Sequence, residues 1–311
     1  MGLSAQAQDV RLLSTKVADI LAQMPAKDLV QRDKAVLSMI QLGDQGIAEI
    51  AKLIVPAGTG DDTGARNAIS ALSLSLGQTG TYPEADRLMV SKAFIKAMDQ
   101  ATDKGIKAFY MYHLKFFANQ EAVGPVAKYL SDDYLVESAA AVLVNMKNHP
   151  AMHALKIALP EMKGKSQMIV VKGLGDYGAL CADSSIRSLA GTTDPNLKKM
   201  VLYALGQIGS KASAEVMVNA AKQAKFGYEP TEATRSLVNF ADNLAKSGEA
   251  VMVKRICTMM VKESQGPDNI SNGLAAMEVM TKNYGFEALD MLMDALCAEI
   301  MSKNKADNPG S

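Results

Sequence analysis

The chain has 311 residues, 48 % hydrophobic and 21 % charged, with 33 basic residues balancing 33 acidic ones. Zero net charge without a basic run weighs against nucleic-acid binding, which needs a basic stripe to displace counterions; Lys163, Lys165 and Lys172 are the nearest approach and read as a solvated helix face. No apolar run approaches the roughly 18 residues needed to cross a bilayer, so no membrane span is expected.

In chain order, residues 1–7 read as a signal-peptide remnant or disordered start. Leu3 to Gln8 looks like the tail of a secretory signal, with Ala5-Gln6-Ala7 as an A-x-A cleavage site, so an exported (periplasmic or extracellular) location is expected. Gln8–Met24 has Val10, Leu13, Val17, Ile20 and Leu21 on one stripe and is predicted helical. Asp28 is placed to cap a helix running to Leu42, and Gly43 to Gly46 turns into a further helix over Ile47–Val55. Pro56 to Gly64 is a loop in which Asp61, Asp62 or Thr63 can cap a helix over Ala65–Leu76. Helices are predicted from Glu84 to Met98 and from Asp103 to Ala118, the latter with Ile106, Tyr110, Leu114 and Phe117 on one face.

From Asn119 the spacing becomes regular. Val142-Leu143, Gly173-Leu174 and Ala204-Leu205 are each 31 residues apart, the signature of stacked helix pairs. The segments are Glu121–Leu130; a helix capped by Asp132-Asp133 and ending at Met146; Pro150–Met162; Ser166–Gly175 with Ser166 as N-cap; Asp183–Leu189; and the helix from Asp194-Pro195 to Gly209. Ala212–Lys225 follows, the insertion Gly227-Tyr228-Glu229-Pro230 breaks the register, and Thr231–Ala245, Glu249–Lys262, Asp268–Asn283 and Phe286–Met301 complete the helices. Residues 302–311 read as a polar tail or linker. No strand-like alternation occurs, so the expected fold is all-α: a superhelix of about six or seven helical pairs over residues 8–301.

Three stretches carry a resemblance to HEAT-type repeats: Ala122-Val123 with Pro125 and Leu130; Asp194-Pro195 with Ala204-Leu205-Gly206-Gln207-Ile208-Gly209; and Arg66 with Ala68, Ala71 and Leu72. The resemblance implies stacked helix pairs that bind partners. Glu137 and Lys198 or Lys199 stand where such repeats usually carry Arg, so an incomplete Asp–Arg ladder between repeats is expected. The Gly58 to Ala68 loop, with the exported-looking start, also resembles the N-terminal repeat region of secreted Bacteroidetes-type proteins that carry a 3-keto-disaccharide hydrolase-like domain. That resemblance implies an accessory repeat region of an exported carbohydrate-active hydrolase. No β-rich segment is present in the sequence, so the activity is not carried over.

The search for chemistry returns little. His149 and His153 are four residues apart, but Pro150 lies between them, His149 is expected before the helix, and no Cys or carboxylate completes a metal set. No His-Glu dipeptide occurs, which argues against the di-iron hydroxylases that resemble this fold. Gly164-Lys165-Ser166 imitates a phosphate loop, but Leu159 stands where its first Gly should be. Gly173-x-Gly175 lies inside a helix and reads as close helix packing. Asp61-Asp62 and Asp132-Asp133 fit helix capping better than calcium binding. Cys181, Cys257 and Cys297 lack metal-ligand spacing and read as small buried thiols on helices. Phe109, Tyr110, Tyr112, Phe116 and Phe117 concentrate aromatics on one helix that cannot bury them all on one stripe. Tyr112 and Phe116 form a second i, i+4 pair that can face a groove, and aromatic anchors are what binding hot spots use. DNA glycosylases for alkylated purines are built on HEAT-like repeats too, but the absence of Trp and the zero net charge speak against that reading. The sequence therefore leads to a non-enzymatic scaffold without cofactor. Its expected partner is a protein or glycan, met at Tyr112, Phe116, Tyr110, Asp61 and Asp62.

Overall fold

A computed structural model describes residues 12–78, 80–264, 269–289 and 293, and among them the chain is helical with no strand. Residues 1–7, Cys297, most of the expected Phe286–Met301 helix and the 302–311 tail lie outside the described residues. The chain divides into two units, residues 1–155 and 156–311, each with its own core.

The first unit begins with α1 (Leu13–Leu21), α2 (Leu29–Gln41) and α3 (Gly43–Ala51), followed by α4 (Thr63–Leu76), α5 (Glu84–Gln100) and α6 (Lys104–Leu114). The short α7 (Val123–Ala127) and then α8 (Val136–Met146) follow, and α9 (His149–Ala158) contains the division. Caps fix several starts: the Asp28 carboxylate accepts from the Gln31 N–H at 2.8 Å and Asp103 from the Ile106 N–H at 2.9 Å. Each helix packs mainly on the one two places further along, α2 on α4 on α6 on α8 and α1 on α3 on α5. Two layers result, with a core of Val36, Met39, Leu72, Leu76, Phe94, Met98, Met111 and Leu143 between them. This is the stacking of a helical repeat, in which each unit buries the face its neighbour leaves open.

The second unit holds α10 (Gly164–Tyr177), α11 (Asp183–Arg187), α12 (Pro195–Ile208), α13 (Ala214–Gln223), α14 (Ala233–Lys246), α15 (Ala250–Glu263) and α16 (Ile270–Tyr284). Here α10, α12, α14 and α16 pack in succession. Gly175 explains the closeness of the first step: a Cβ built there would lie 2.6 Å from the Ala204 Cα. Gly206 does the same against α14, where a Cβ would lie 2.8 Å from the Ser236 carbonyl oxygen. The close packing expected at Gly173-x-Gly175 is therefore found at Gly175. Val142-Leu143, Leu174 and Ala204-Leu205 are all fully buried, so the 31-residue spacing marks equivalent core positions.

As the incomplete Asp–Arg ladder leads one to expect, the Arg–Asp pairs described do not run between repeats. Arg66–Asp62 and Arg187–Asp183 close within single helical turns. Other side chains link neighbouring repeats: the Ser91 hydroxyl donates to Glu121, Lys128 pairs with Asp99 at 2.5 Å, and the Tyr203 hydroxyl donates to Asp176 at 2.6 Å. Further along, Lys282 and Asn283 of α16 meet Asp242 of α14 at 3.0 and 2.9 Å. Burial would raise the Asp242 carboxyl, but Asn283, Lys282 and Lys246 outweigh it and hold it at about 2.

Several boundaries differ from expectation. α6 stops at Leu114 because Phe116 and Phe117 bond back only three residues, to His113 and Leu114. Glu121–Leu130 splits into a 3₁₀ turn at Gln120–Ala122 and the five-residue α7. Pro160 supplies no N–H, so α9 gives way to a 3₁₀ turn at Leu159–Glu161. His149 lies inside α9, since Asn148 caps it by accepting from the Ala151 N–H at 2.9 Å. Gly164, at φ +54°, starts α10 ahead of Ser166, which is buried in the first turn and is not its cap. Cys257 is buried as expected, and burial pushes its thiol up to about 12. Cys181 is instead exposed, in a 3₁₀ turn.

Candidate functional site

A groove of about 860 Å³ in the first unit is formed by α3, α5 and the start of α6. Its floor is small and apolar, with Ala48 and Ala51 on α3 and Ala93 and Ala97 on α5. Leu88 and Met89 stand at one end, and Lys92, Lys96 and Gln100 line its length. The groove exists because α5 is 17 residues long while α3, against which it packs, has nine. Part of the α5 face is therefore left beyond its partner. Asp103, at the far end, is committed to capping α6, and Asp44 accepts from the Gln45 N–H at 2.9 Å.

Tyr110, expected on a binding surface, is instead buried at 1 % exposure. Its ring packs edge-on against Phe94 and Phe109, and its hydroxyl donates to the Ala51 carbonyl at 3.3 Å. It touches the groove only from beneath, and burial pushes its hydroxyl well above the usual phenol range.

Tyr112 and Phe116 do form a pair, with ring centroids 5.4 Å apart. Tyr112 is 53 % exposed, and the Lys115 ammonium lies 4.0 Å from its ring centroid. A second hollow of about 340 Å³ opens beside it, lined by Tyr112, Lys115, Tyr134, Glu137 and Ser138. The large groove and this hollow are distinct: Tyr112 and Phe116 do not line the former.

Asp61 and Asp62 shape the loop before α4. One Asp62 oxygen meets the Arg66 Nε at 2.8 Å, and the other accepts from the Val55 N–H at 2.9 Å. Arg66 closes the clip by donating to the Val55 carbonyl at 2.9 Å and lies over the Phe109 ring at 4.7 Å. Burial opposes ionisation of Asp62, but these bonds overcome it and lower its carboxyl. The Thr63 hydrogen bonds lower that of the exposed Asp61. Asp132 accepts from the Tyr134 and Leu135 N–H groups and pairs with Lys104 at 2.7 Å.

His113 was not singled out by spacing. It is buried at 3 % exposure between the Phe109 and Tyr112 rings, with its Nδ1 2.7 Å from the Ser73 hydroxyl. Burial, then the positive charges of Lys115 and Arg66, push its pKa down to about 4. His149 and His153 are exposed on α9 with stacked rings. Among the described residues no group of three or more His, Cys, Asp or Glu is placed to hold a metal, and no helix is long and apolar enough to cross a membrane.

No protein-family model matches the chain, and no curated protein matches it. Solved structures are similar to it. One is an engineered protein, 17 % identical, covering 93 % of this chain and 84 % of its own, with a TM-score of 0.41. Another comes from work on a phosphorylation switch controlling the interaction between cadherin and β-catenin. It is 14 % identical, covers 90 % of this chain and 63 % of its own, and has a TM-score of 0.39. A third is from the complex of CpcE and CpcF of phycocyanin lyase from Nostoc sp. PCC7120, 14 % identical, covering 91 % and 98 %, with a TM-score of 0.35.

Proposed function

We propose that this chain is a non-enzymatic helical-repeat scaffold that holds a protein or glycan partner, with the binding face on its first unit. The observation that carries the reading is the α3–α5–α6 groove, whose volume lies within the range of ligand clefts and whose floor is apolar. Its lining suits holding better than catalysis, because it contains no His or Cys, and Asp44 and Asp103 each give one oxygen to a backbone N–H of their own helix. The exported location expected from Ala5-Gln6-Ala7 belongs to the same proposal and is checked by fractionating the source cells.

The test is site-specific photocrosslinking. A photoreactive residue replaces Leu88 or Ala97 in the groove or, as control, the exposed Val251 of α15, and the full chain is irradiated in extract of its source cells. The expected result is one defined adduct from both groove positions, absent from Val251 and reproduced with the purified partner. Absence of a groove adduct, or the same adducts from Val251, overturns the reading.

A further inference from the structure

We infer that the groove along α5 receives an acidic amphipathic helix of a partner protein, seated apolar face down with its carboxylates against Lys92 and Lys96. The inference rests on the scaffold reading above and names the chemistry of its occupant. The shape comes from α5 itself. Leu88, Met89, Lys92, Ala93, Lys96 and Ala97 follow the i, i+1, i+4, i+5 rhythm of one helical face, and all six line the groove. Seventeen residues make α5 about 25 Å long, room for four turns of a second helix. Alanines on both walls leave no bulk to hold such a helix away, and close approach of two helices requires small residues at the contact.

The charge comes from the two lysines. Both are exposed, they lie one turn apart, and neither has an ion pair or hydrogen bond among the described residues. Their neighbours differ. Lys52 pairs with Glu49, Lys104 with Asp132, and Lys107 donates to the Met98 carbonyl. Like charges at i, i+4 repel, and carboxylates laid beside them convert that repulsion into attraction. Asp44 and Asp103 also line the groove but pair with neither lysine, and each gives one oxygen to a backbone N–H. An acidic stripe flanking an apolar face is therefore the complement of this surface. Two lysines over an apolar floor fall short of the cationic run that a nucleic acid needs. A lining that stays exposed at Leu88, Lys92, Lys96 and Gln100 does not enclose an acyl chain.

The test uses the full chain and a displayed library of helical 16-residue peptides with a Leu/Ala face and Glu or Lys randomised along its flanks. Enrichment of peptides with Glu at i, i+4 beside the apolar face is expected. Their affinity should fall at least tenfold on K92E/K96E, and their Glu→Lys counterparts should bind the double variant better than the wild type. Ala97→Arg, which fills the groove and keeps both lysines, should abolish both. Helical content by circular dichroism shows that the variants stay folded. Selection without acidic excess, no selected binder, affinities indifferent to the charge swap, or oleate binding where no peptide does would each overturn the inference. A groove photoadduct whose formation ignores K92E/K96E would remove the acidic helix and leave the scaffold standing; loss of the photoadduct itself removes both.

Discussion

His113 makes the stability of the first unit depend on pH in a direction the structure specifies. In the folded chain it is neutral down to about 4, because burial between the Phe109 and Tyr112 rings, with Lys115 and Arg66 close by, opposes a charge there. Unfolded, it titrates near its ordinary 6.5. Above that value both states are neutral and stability is at its full level. As pH falls below 6.5 the unfolded chain takes up a proton that the folded chain refuses, so stability drops until about pH 4 and then levels off. At about 1.4 kcal/mol per pH unit, the whole window is worth roughly 3 kcal/mol, and the stretch down to pH 5 about 2 kcal/mol. The perturbation is His113→Phe, which keeps the ring contacts and removes the titrating group. Its cost at pH 7 should be about 1 kcal/mol, since the Ser73 hydroxyl retains the Ser70 carbonyl at 3.1 Å. Urea unfolding at pH 7, 6 and 5, wild type against variant, isolates the effect because every other titration is common to both. The variant should lose about 2 kcal/mol less than the wild type on going to pH 5. Equal losses would refute the reasoning, as would an imidazole proton resonance of His113 titrating near 6.5 in the folded chain.

Other substitutions test the packing. Gly206→Ala drives a Cβ to within 2.8 Å of the Ser236 carbonyl oxygen and should cost about 1–3 kcal/mol in chemical denaturation. Gly124→Ala in α7, with nothing within 4 Å, should be neutral or stabilise by up to about 1 kcal/mol; equal losses at the two positions would refute the close-approach argument. Arg66→Ala breaks the ion pair to Asp62 and the bond to the Val55 carbonyl and uncovers Phe109. It should lower stability by about 1–2 kcal/mol and raise amide exchange at Val55, and unchanged exchange there would count against the clip. Tyr112→Ala, at a half-exposed ring, should leave stability within about 1 kcal/mol of wild type, so any effect on partner capture reports on the hollow beside it.

The fold was legible because its determinants are local. Apolar residues at helical spacing and the caps at Asp28, Asp103 and Asp194 each act within one or two turns, and the 31-residue recurrence of core pairs repeats that local pattern. Boundaries were less legible where the ending is decided elsewhere. Nothing in Lys115-Phe116-Phe117 forbids continuing α6, yet Phe117 is drawn into the core against Phe94, with ring centroids 5.6 Å apart, and the chain turns there. Tyr110 and Tyr112 show the same limit at the site. Two residues apart on a helix they point in different directions, and only the positions of α3 and α5 decide that the first is buried and the second exposed.

The groove escaped the sequence because its walls come from segments some forty residues apart, Asp44 to Lys52 and Ala85 to Gln100. Lys92 and Lys96 lie on the exposed side of α5, away from its buried Val90, Phe94 and Met98. Asp61 and Asp62 drew attention as an adjacent acidic pair, yet the structure engages both, with Thr63 and with Val55 and Arg66. Lys92 and Lys96 have no such engagement among the described residues. Whether a charge is already satisfied is decided by the fold around it, not by how conspicuous it is in the sequence.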